Sequence, residues 1–267
     1  MTWLEGIILG IIQGIGEPIP VSSSAQTMIA SFLMNVETPG IVFEVFLNFA
    51  SFLAILWLTR SDVYQIVKGF LFYSFKGQKE YTKEFRMAIF VIIGTIPAVI
   101  FGFTMKDLID TYLSHIRIIA ICLIITGLFL FFVRKMKGHR GEDQMTWKDA
   151  LVIGLVQGTI SLIPGISRSG STVVAALYAG LDRETAFRFS FLLYLPIGFG
   201  AMVLGASDLV TDPLFTENMG AYFIMFIVTF FMTMVGYKIF KGIMEKGKLI
   251  YFSIYCWALG IFLLIWF

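Results

Sequence analysis

Two apolar runs, residues 149–163 and 171–181, flank the polar stretch Pro164-Gly165-Ile166-Ser167-Arg168-Ser169-Gly170. Each run is too short to cross a membrane, because a spanning helix needs roughly 20 residues for a ~30 Å hydrocarbon core. The pair reads as two half-helices meeting at a tip that carries an arginine and several hydroxyls. Irregular backbone at membrane depth persists only where protein or a water-filled cavity satisfies its N–H and C=O groups, and a half-helix N-terminus attracts anions. The expectation is an anion site inside a membrane protein.

Composition agrees with that class. The 267 residues are 58% hydrophobic and 14% charged, and the charges fall in short blocks between long apolar runs, the pattern of a polytopic membrane protein. No nucleic-acid partner is expected. Cys122 and Cys256 lie inside apolar runs without pairing or ligand spacing, so neither a disulfide framework nor a metal cluster is suggested. Residues 1–16 carry Glu5 and Gln13 and lack a basic leader region, so no removable signal peptide is read there.

A second element repeats the same plan near the start of the chain. Its apolar run 3–16 breaks at Glu17-Pro18-Ile19-Pro20-Val21-Ser22-Ser23-Ser24 and resumes as 25–34. At a constant offset of 144 residues, Gly10 matches Gly154, Gln13 matches Gln157, Gly14 matches Gly158, Pro20 matches Pro164 and Ser23 matches Ser167. Such identities among sparingly used residue types argue for an internal duplication, with repeats over 1–140 and 141–267 of one integral membrane domain.

The remaining apolar runs, 41–59, 85–104, 116–133, 185–206, 219–237 and 249–267, are each about long enough to span. Three lie between the two broken elements and three follow the second. An odd number of crossings makes the second copy enter from the opposite face. The expected fold is therefore an all-α polytopic membrane protein: six transmembrane helices plus two re-entrant helix hairpins in an inverted-topology repeat, with both tips near the midplane. The basic residues give an independent check. Segments 60–86, 134–148, 182–188 and 238–248 hold 17 of the 20 Lys and Arg residues, against Lys106 and Arg117 in the opposite loops. The positive-inside rule then places the basic loops in the cytoplasm and both termini outside, with the first hairpin entering from outside. Residues 62–75 read as an interfacial helix on the cytoplasmic face.

At membrane depth each polar side chain has a structural and a functional reading. An arginine there costs about 2.5–3.5 kcal/mol or more. Arg168 either pairs with Glu17 or Glu44, or grips phosphate oxygens with its planar fork. In the second case the turn N–H groups at Gly165 and Gly170 and the hydroxyls of Ser167, Ser169, Ser171 and Thr172 supply further donors. Glu17 follows Gln13 at the i, i+4 spacing, which puts both on one helix face. It either caps the return half-helix or pairs with Arg168, or it holds a divalent cation or acts as a general acid or base. Glu44 is placed at the cavity mouth. Ser22, Ser23 and Ser24 open the return half-helix, where one is expected as an N-cap and one beside the arginine as a nucleophile. His115 and His139 fall in loops, not in a tip, so the base is Glu17, a water or a metal-bound hydroxide.

The motifs QGIGEPIPVSSSAQ and PGISRSGST, the latter followed by FRFSFLLYLP, resemble the undecaprenyl-diphosphatase family of bacterial envelope enzymes over essentially the whole chain. The resemblance implies a metal-dependent phosphatase of the bacterial plasma membrane. It would remove one phosphate from a C55 polyprenyl diphosphate at the outer face and recycle the carrier lipid for cell-wall synthesis. By position it implies Gln13 and Glu17 as the acidic-motif pair, Ser23 as nucleophile, Arg168 as phosphate clamp and Mg2+ or Ca2+ as the divalent cation. Expected partners are the polyprenyl diphosphate substrate and the lipid bilayer, with a homodimer left open. One departure stands out: family members end the first tip in Ser-Ser-x-Gly-His, whereas this chain has Ser24-Ala25-Gln26. Gln26 can donate and accept hydrogen bonds to substrate but cannot take a proton near neutral pH. The alternative function is a transporter that uses the same inverted-repeat site to move a polyprenyl phosphate between leaflets without hydrolysis.

Overall fold

In a computed structural model, which describes residues 1–36, 41–104 and 115–266, the chain is helical apart from connecting loops and one isolated bridge between Arg140 and Leu181. Lys106, expected opposite the basic loops, and Phe267, at the end of the last expected span, lie outside these residues. The helices are α1 (Trp3–Gly16), α2 (Ser23–Met34), α3 (Ile41–Lys76), α4 (Thr82–Thr104) and α5 (Ile116–Val133), then α6 (Trp147–Gly158), α7 (Arg168–Tyr178), α8 (Arg183–Thr211), α9 (Met219–Lys246) and α10 (Ile250–Trp266). A five-residue helix, Pro213–Glu217, links α8 to α9.

Both broken elements begin with the same local device. The Thr2 hydroxyl accepts the Glu5 N–H at 3.3 Å while the Glu5 carboxylate accepts the Thr2 N–H at 2.7 Å. At the start of α6, Thr146 and Asp149 exchange the same two bonds, at 3.4 and 2.7 Å. Each capping box satisfies two of the helix's orphan donors. Thr2, Trp3 and Glu5 stand 144 residues before Thr146, Trp147 and Asp149, the offset already seen at the tips.

Among the described residues, α3, α4, α5, α8 and α9 are long and apolar enough to cross a membrane. α10, at 17 residues, is a shorter apolar helix of about 25 Å at ~1.5 Å per residue. The chain is thus a helical protein with the span content of a polytopic membrane protein. The interfacial helix expected over 62–75 is instead the C-terminal half of α3, which runs unbroken from Ile41 to Lys76. Neither proline nor glycine stands between Ile41 and Lys68, so nothing stops the helix. Its 36 residues outrun a hydrocarbon core by a wide margin.

Packing pairs each half of the chain with the other. α1 lies along α9 and α6 along α4, while α3 meets α8 and α5 meets α10. Glycine makes the first two approaches close: a Cβ on Gly14 would fall 2.6 Å from the Thr229 carbonyl oxygen, and one on Gly154 would fall 2.3 Å from that of Gly94. Small residues let backbones touch where no hydrophobic drive separates lipid from helix. The central core is aromatic, with Phe187, Phe191, Phe240 and Tyr237 in tilted and edge-on contacts.

At one end of the bundle the basic segments are tied to each other. Arg140 pairs with Asp149, Arg188 with both Asp62 and Glu142, and Arg183 donates to the carbonyls of Met136 and Arg134. Arg86 reaches the carbonyls of Asp143 and Met145 at 3.0 Å. Segments 60–86, 134–148 and 182–188 therefore share one end.

Candidate active site

The first tip is shaped by its prolines. Pro18 and Pro20 cannot continue α1, and the helix ends with the Glu17 N–H bonded to the Gln13 carbonyl at 2.8 Å. The Glu17 side chain is thereby held one turn beyond Gln13. Ser22 then turns the chain with φ 62° and ψ 88°, a left-handed conformation that costs a residue with a Cβ about 1–3 kcal/mol. Ser22 precedes α2 but makes no side-chain cap bond, contrary to the expected serine cap, because its left-handed backbone does not aim the hydroxyl at the helix N–H groups. The first N–H groups of α2 keep their anion-attracting character.

The second tip is built differently. Gly165 has φ 92°, and a Cβ there would meet the Ile119 carbonyl oxygen at 2.7 Å. Only glycine fits both constraints. Ser167 caps α7 by accepting the Gly170 N–H at 3.2 Å, and its own N–H is held by Thr126 at 3.3 Å. Arg168 is the first residue of α7 and projects toward the first tip. The tips touch directly, since a Cβ on Gly170 would lie 3.0 Å from Pro20 Cβ.

Arg168 Nη2 donates to Glu17 Oε1 at 2.7 Å, with the two side chains 17% and 10% exposed. Glu17 Oε2 accepts from Ser23 Oγ at 2.6 Å and from Gln13 Nε2 at 3.3 Å. One carboxylate thus joins a hydroxyl, an amide and a guanidinium from both halves of the chain. Among the described residues Arg168 Nη1 is buried without a hydrogen-bond partner, an unusual state for a charged donor. The group opens on a cavity of about 500 Å³ whose lining includes Gln13, Glu17, Ser22, Ser23, Ser24, Glu44, Asn48, Ser161, Ser167, Arg168 and Tyr194, with Met28, Ile163, Pro164 and Ile197 among its apolar walls.

Of the residues expected at the site, Gln13, Glu17, Ser22, Ser23, Ser24, Glu44, Ser167 and Arg168 line this cavity. Gln26 does not. It donates to the Val21 carbonyl at 3.2 Å and accepts from the Tyr255 hydroxyl at 2.7 Å, on the side of α2 that faces an apolar groove against α10. Ser169, Ser171 and Thr172 are also turned inward: Ser169 Oγ is 3.2 Å from Ser167 Oγ, Ser171 donates to the Ser167 carbonyl at 2.7 Å, and Thr172 lies 2.5 Å from Ser190 Oγ. Gly165 and Gly170 serve close packing. The second tip therefore offers the cavity chiefly Arg168.

Three polar lining residues were not anticipated: Asn48, Ser161 and Tyr194. Asn48 Oδ1 accepts from Gln13 Nε2 at 3.0 Å, and the Tyr194 ring lies beneath Arg168, its centroid 3.9 Å from the guanidinium carbon. Asn48 had a legible signal: it is an amide within an apolar span, four residues after Glu44 and so on the same face. Among the described residues no group of three His, Cys, Asp or Glu side chains forms a metal cluster. The oxygen donors that face the cavity are Glu17, Glu44 and the amides and hydroxyls beside them.

Chemically, the cluster sets a hydroxyl at hydrogen-bond distance from a carboxylate, the arrangement of a nucleophile with its base, next to a cation able to hold phosphate oxygens. Residues 6–262 match the family described as bacitracin resistance protein BacA. The chain is 42% identical over 262 residues to Undecaprenyl-diphosphatase 3 of Bacillus anthracis, covering 98% of this chain and 97% of that protein. It is 43% identical over 264 residues to Undecaprenyl-diphosphatase 1 of Halalkalibacterium halodurans, covering 98% of this chain and 96% of that protein.

Proposed function

The chain belongs to the bacitracin resistance protein BacA family, and on that premise we propose that its cavity hydrolyses undecaprenyl diphosphate to the monophosphate and inorganic phosphate. The observation that carries this reading is the Glu17 carboxylate, which takes Ser23 Oγ at 2.6 Å on one oxygen and Arg168 at 2.7 Å on the other.

Arg168 and the uncapped N-terminus of α2 hold the terminal phosphoryl, where charge develops in transfer. Ser23 Oγ attacks its phosphorus as its proton passes to Glu17 Oε2. The P–O bond to the bridging oxygen breaks, and undecaprenyl monophosphate leaves. Glu17 passes that proton to the leaving monophosphate oxygen and, a carboxylate again, takes one from a water that attacks the phosphoserine. The P–O bond to Ser23 breaks, Ser23 Oγ recovers the proton from Glu17, and inorganic phosphate leaves. Gln13 and Asn48 keep Glu17 oriented throughout.

A divalent cation, Mg2+ or Ca2+, suits the donors present, because Glu17, Glu44 and the neighbouring amide oxygens are hard ligands. Glu17 and Arg168 also cancel in charge, leaving a polyanionic diphosphate to be neutralised. When bound, such an ion withdraws charge from phosphate oxygens.

The arrangement of the site in the membrane follows the same reading. We take the two halves as an inverted-topology repeat with six spans and two re-entrant hairpins. The exchange of partners between α1 with α9 and α6 with α4 supports it, as does the recurrence of the capping box at an offset of 144 residues. The shared end of the basic segments supports a cytoplasmic assignment for those loops. The cavity then opens to the outer face of the bacterial plasma membrane, and its product re-enters cell-wall synthesis.

Phosphate release by purified protein in detergent, with Mg2+ or Ca2+, tests the reading. Turnover that is lost in Glu17→Gln and Arg168→Ala supports it. Wild-type protein that binds the lipid without releasing phosphate overturns it and favours the second reading, transport of the lipid phosphate, which the exchanged packing of the two halves also suits. Flux of labelled lipid between leaflets of a vesicle measures that directly.

A further inference from the structure

We infer that Tyr194 is a positioning residue for the phosphatase reaction proposed above, on which this inference rests: it fixes the plane of Arg168 as one link in a closed ring of contacts. The ring runs through four helices. Arg168 on α7 lies 3.9 Å over the Tyr194 ring of α8. The Tyr194 hydroxyl donates to the Asn48 carbonyl of α3 at 3.1 Å. Asn48 accepts through its side chain from Gln13 of α1 at 3.0 Å, Gln13 donates to Glu17 at 3.3 Å, and Glu17 closes the ring on Arg168 at 2.7 Å.

Each link removes one freedom of the guanidinium. Glu17 holds one of its terminal nitrogens, the aromatic face beneath holds its plane, and the Asn48 carbonyl stops the tyrosine from tilting. What remains is Nη1, buried and without a hydrogen-bond partner among the described residues. An arginine whose plane is set before substrate arrives loses less freedom on binding and meets the transferring phosphoryl in one orientation. Tyr194 is 5% exposed, and its hydroxyl is taken by the Asn48 carbonyl.

The test is steady-state phosphate release from undecaprenyl diphosphate by full-length protein in detergent. It compares wild type, Tyr194→Leu, Tyr194→Phe, Arg168→Lys and the Arg168→Lys/Tyr194→Leu pair, over long incubations where turnover is slow, each with its thermal unfolding midpoint. Tyr194→Leu is expected to lower kcat roughly ten- to hundredfold with KM changed less than about threefold, the cost of a misplaced reacting group. Tyr194→Phe, which keeps the aromatic face, restores most of that loss. In the Arg168→Lys background the plane to be held is gone, so Tyr194→Leu adds less than about threefold. A wild-type kcat in Tyr194→Leu overturns the inference, and so does an equal loss in both arginine and lysine backgrounds or a loss that follows the unfolding midpoint. Wild-type protein that releases no phosphate instead sinks the hydrolytic reading itself and takes the positioning role with it.

Discussion

Ser23 Oγ donates to Glu17 Oε2 at 2.6 Å across the turn that Pro18 and Pro20 force between α1 and α2. The contact joins a hydroxyl to the one acid of the first tip. Ser23→Ala and Glu17→Gln should each lower kcat for phosphate release by ~100-fold or more, the range a positioned base or nucleophile contributes. The double variant should be little worse than either single one, because the two groups act as a unit. Losses that multiply would separate their roles.

Gln26, where the family resemblance implies a histidine, points away from the cluster, to Val21 and Tyr255. Gln26→His therefore places an imidazole against α10, not beside Ser23. Phosphate release is expected to change by less than about threefold, well below the effect of a working general base. A gain of tenfold or more, with a new inflection near the histidine pKa in the rate profile, would show that position 26 reaches the reacting atoms.

The tips and their pairing were readable from sequence because they break a strong rule, that membrane-depth residues are apolar. Glu17, Gln13 and Arg168 are costly in apolar surroundings, so their places in short runs marked the two tips that the fold brings together. The serines of the second tip were harder. Ser169, Ser171 and Thr172 share the residue types of phosphate ligands, but α7 turns Ser171 and Thr172 onto backbone carbonyls and Ser190, and Ser169 onto the Ser167 hydroxyl. Only the phase of the helix decides that, and a helix start uncertain by one residue leaves the phase open. Tyr194 was hidden for the opposite reason. An aromatic residue in an apolar span carries no signal until its neighbour across the fold is known. The capping boxes at Thr2 and Thr146 were legible all along, at the offset that matched the tips.

Glycines at the α1–α9 contact should be far less replaceable than glycines facing open space. A Cβ on Gly14 would meet Met232 Cβ and the Thr229 carbonyl oxygen, both at 2.6 Å, whereas one on Gly242 meets nothing within 4 Å. Gly14→Ala should destabilise by ~1–3 kcal/mol, the cost of overpacking a close contact. Gly242→Ala, inside α9, should stabilise by ~0.4–1 kcal/mol through the unfolded chain. Thermal unfolding in one detergent, followed by tryptophan fluorescence, gives both signs in a single comparison.

Ser22 is the residue whose replacement should separate stability from catalysis. Its φ of 62° and ψ of 88° strain any side chain that carries a Cβ, and among the described residues its hydroxyl meets the Ser24 hydroxyl at 3.4 Å. Ser22→Gly removes the strain and is expected to raise stability by ~1 kcal/mol. Ser22→Ala keeps the Cβ and loses only a long contact, so its unfolding midpoint should stay near wild type. Activity should move the other way. The left-handed turn at Ser22 sets Ser23 against Glu17, and a glycine there has other backbone conformations open to it. Ser22→Gly should therefore release phosphate more slowly than Ser22→Ala despite unfolding at a higher temperature. The reverse order of rates would mean that the Ser22 hydroxyl, and not its backbone, is what the site requires.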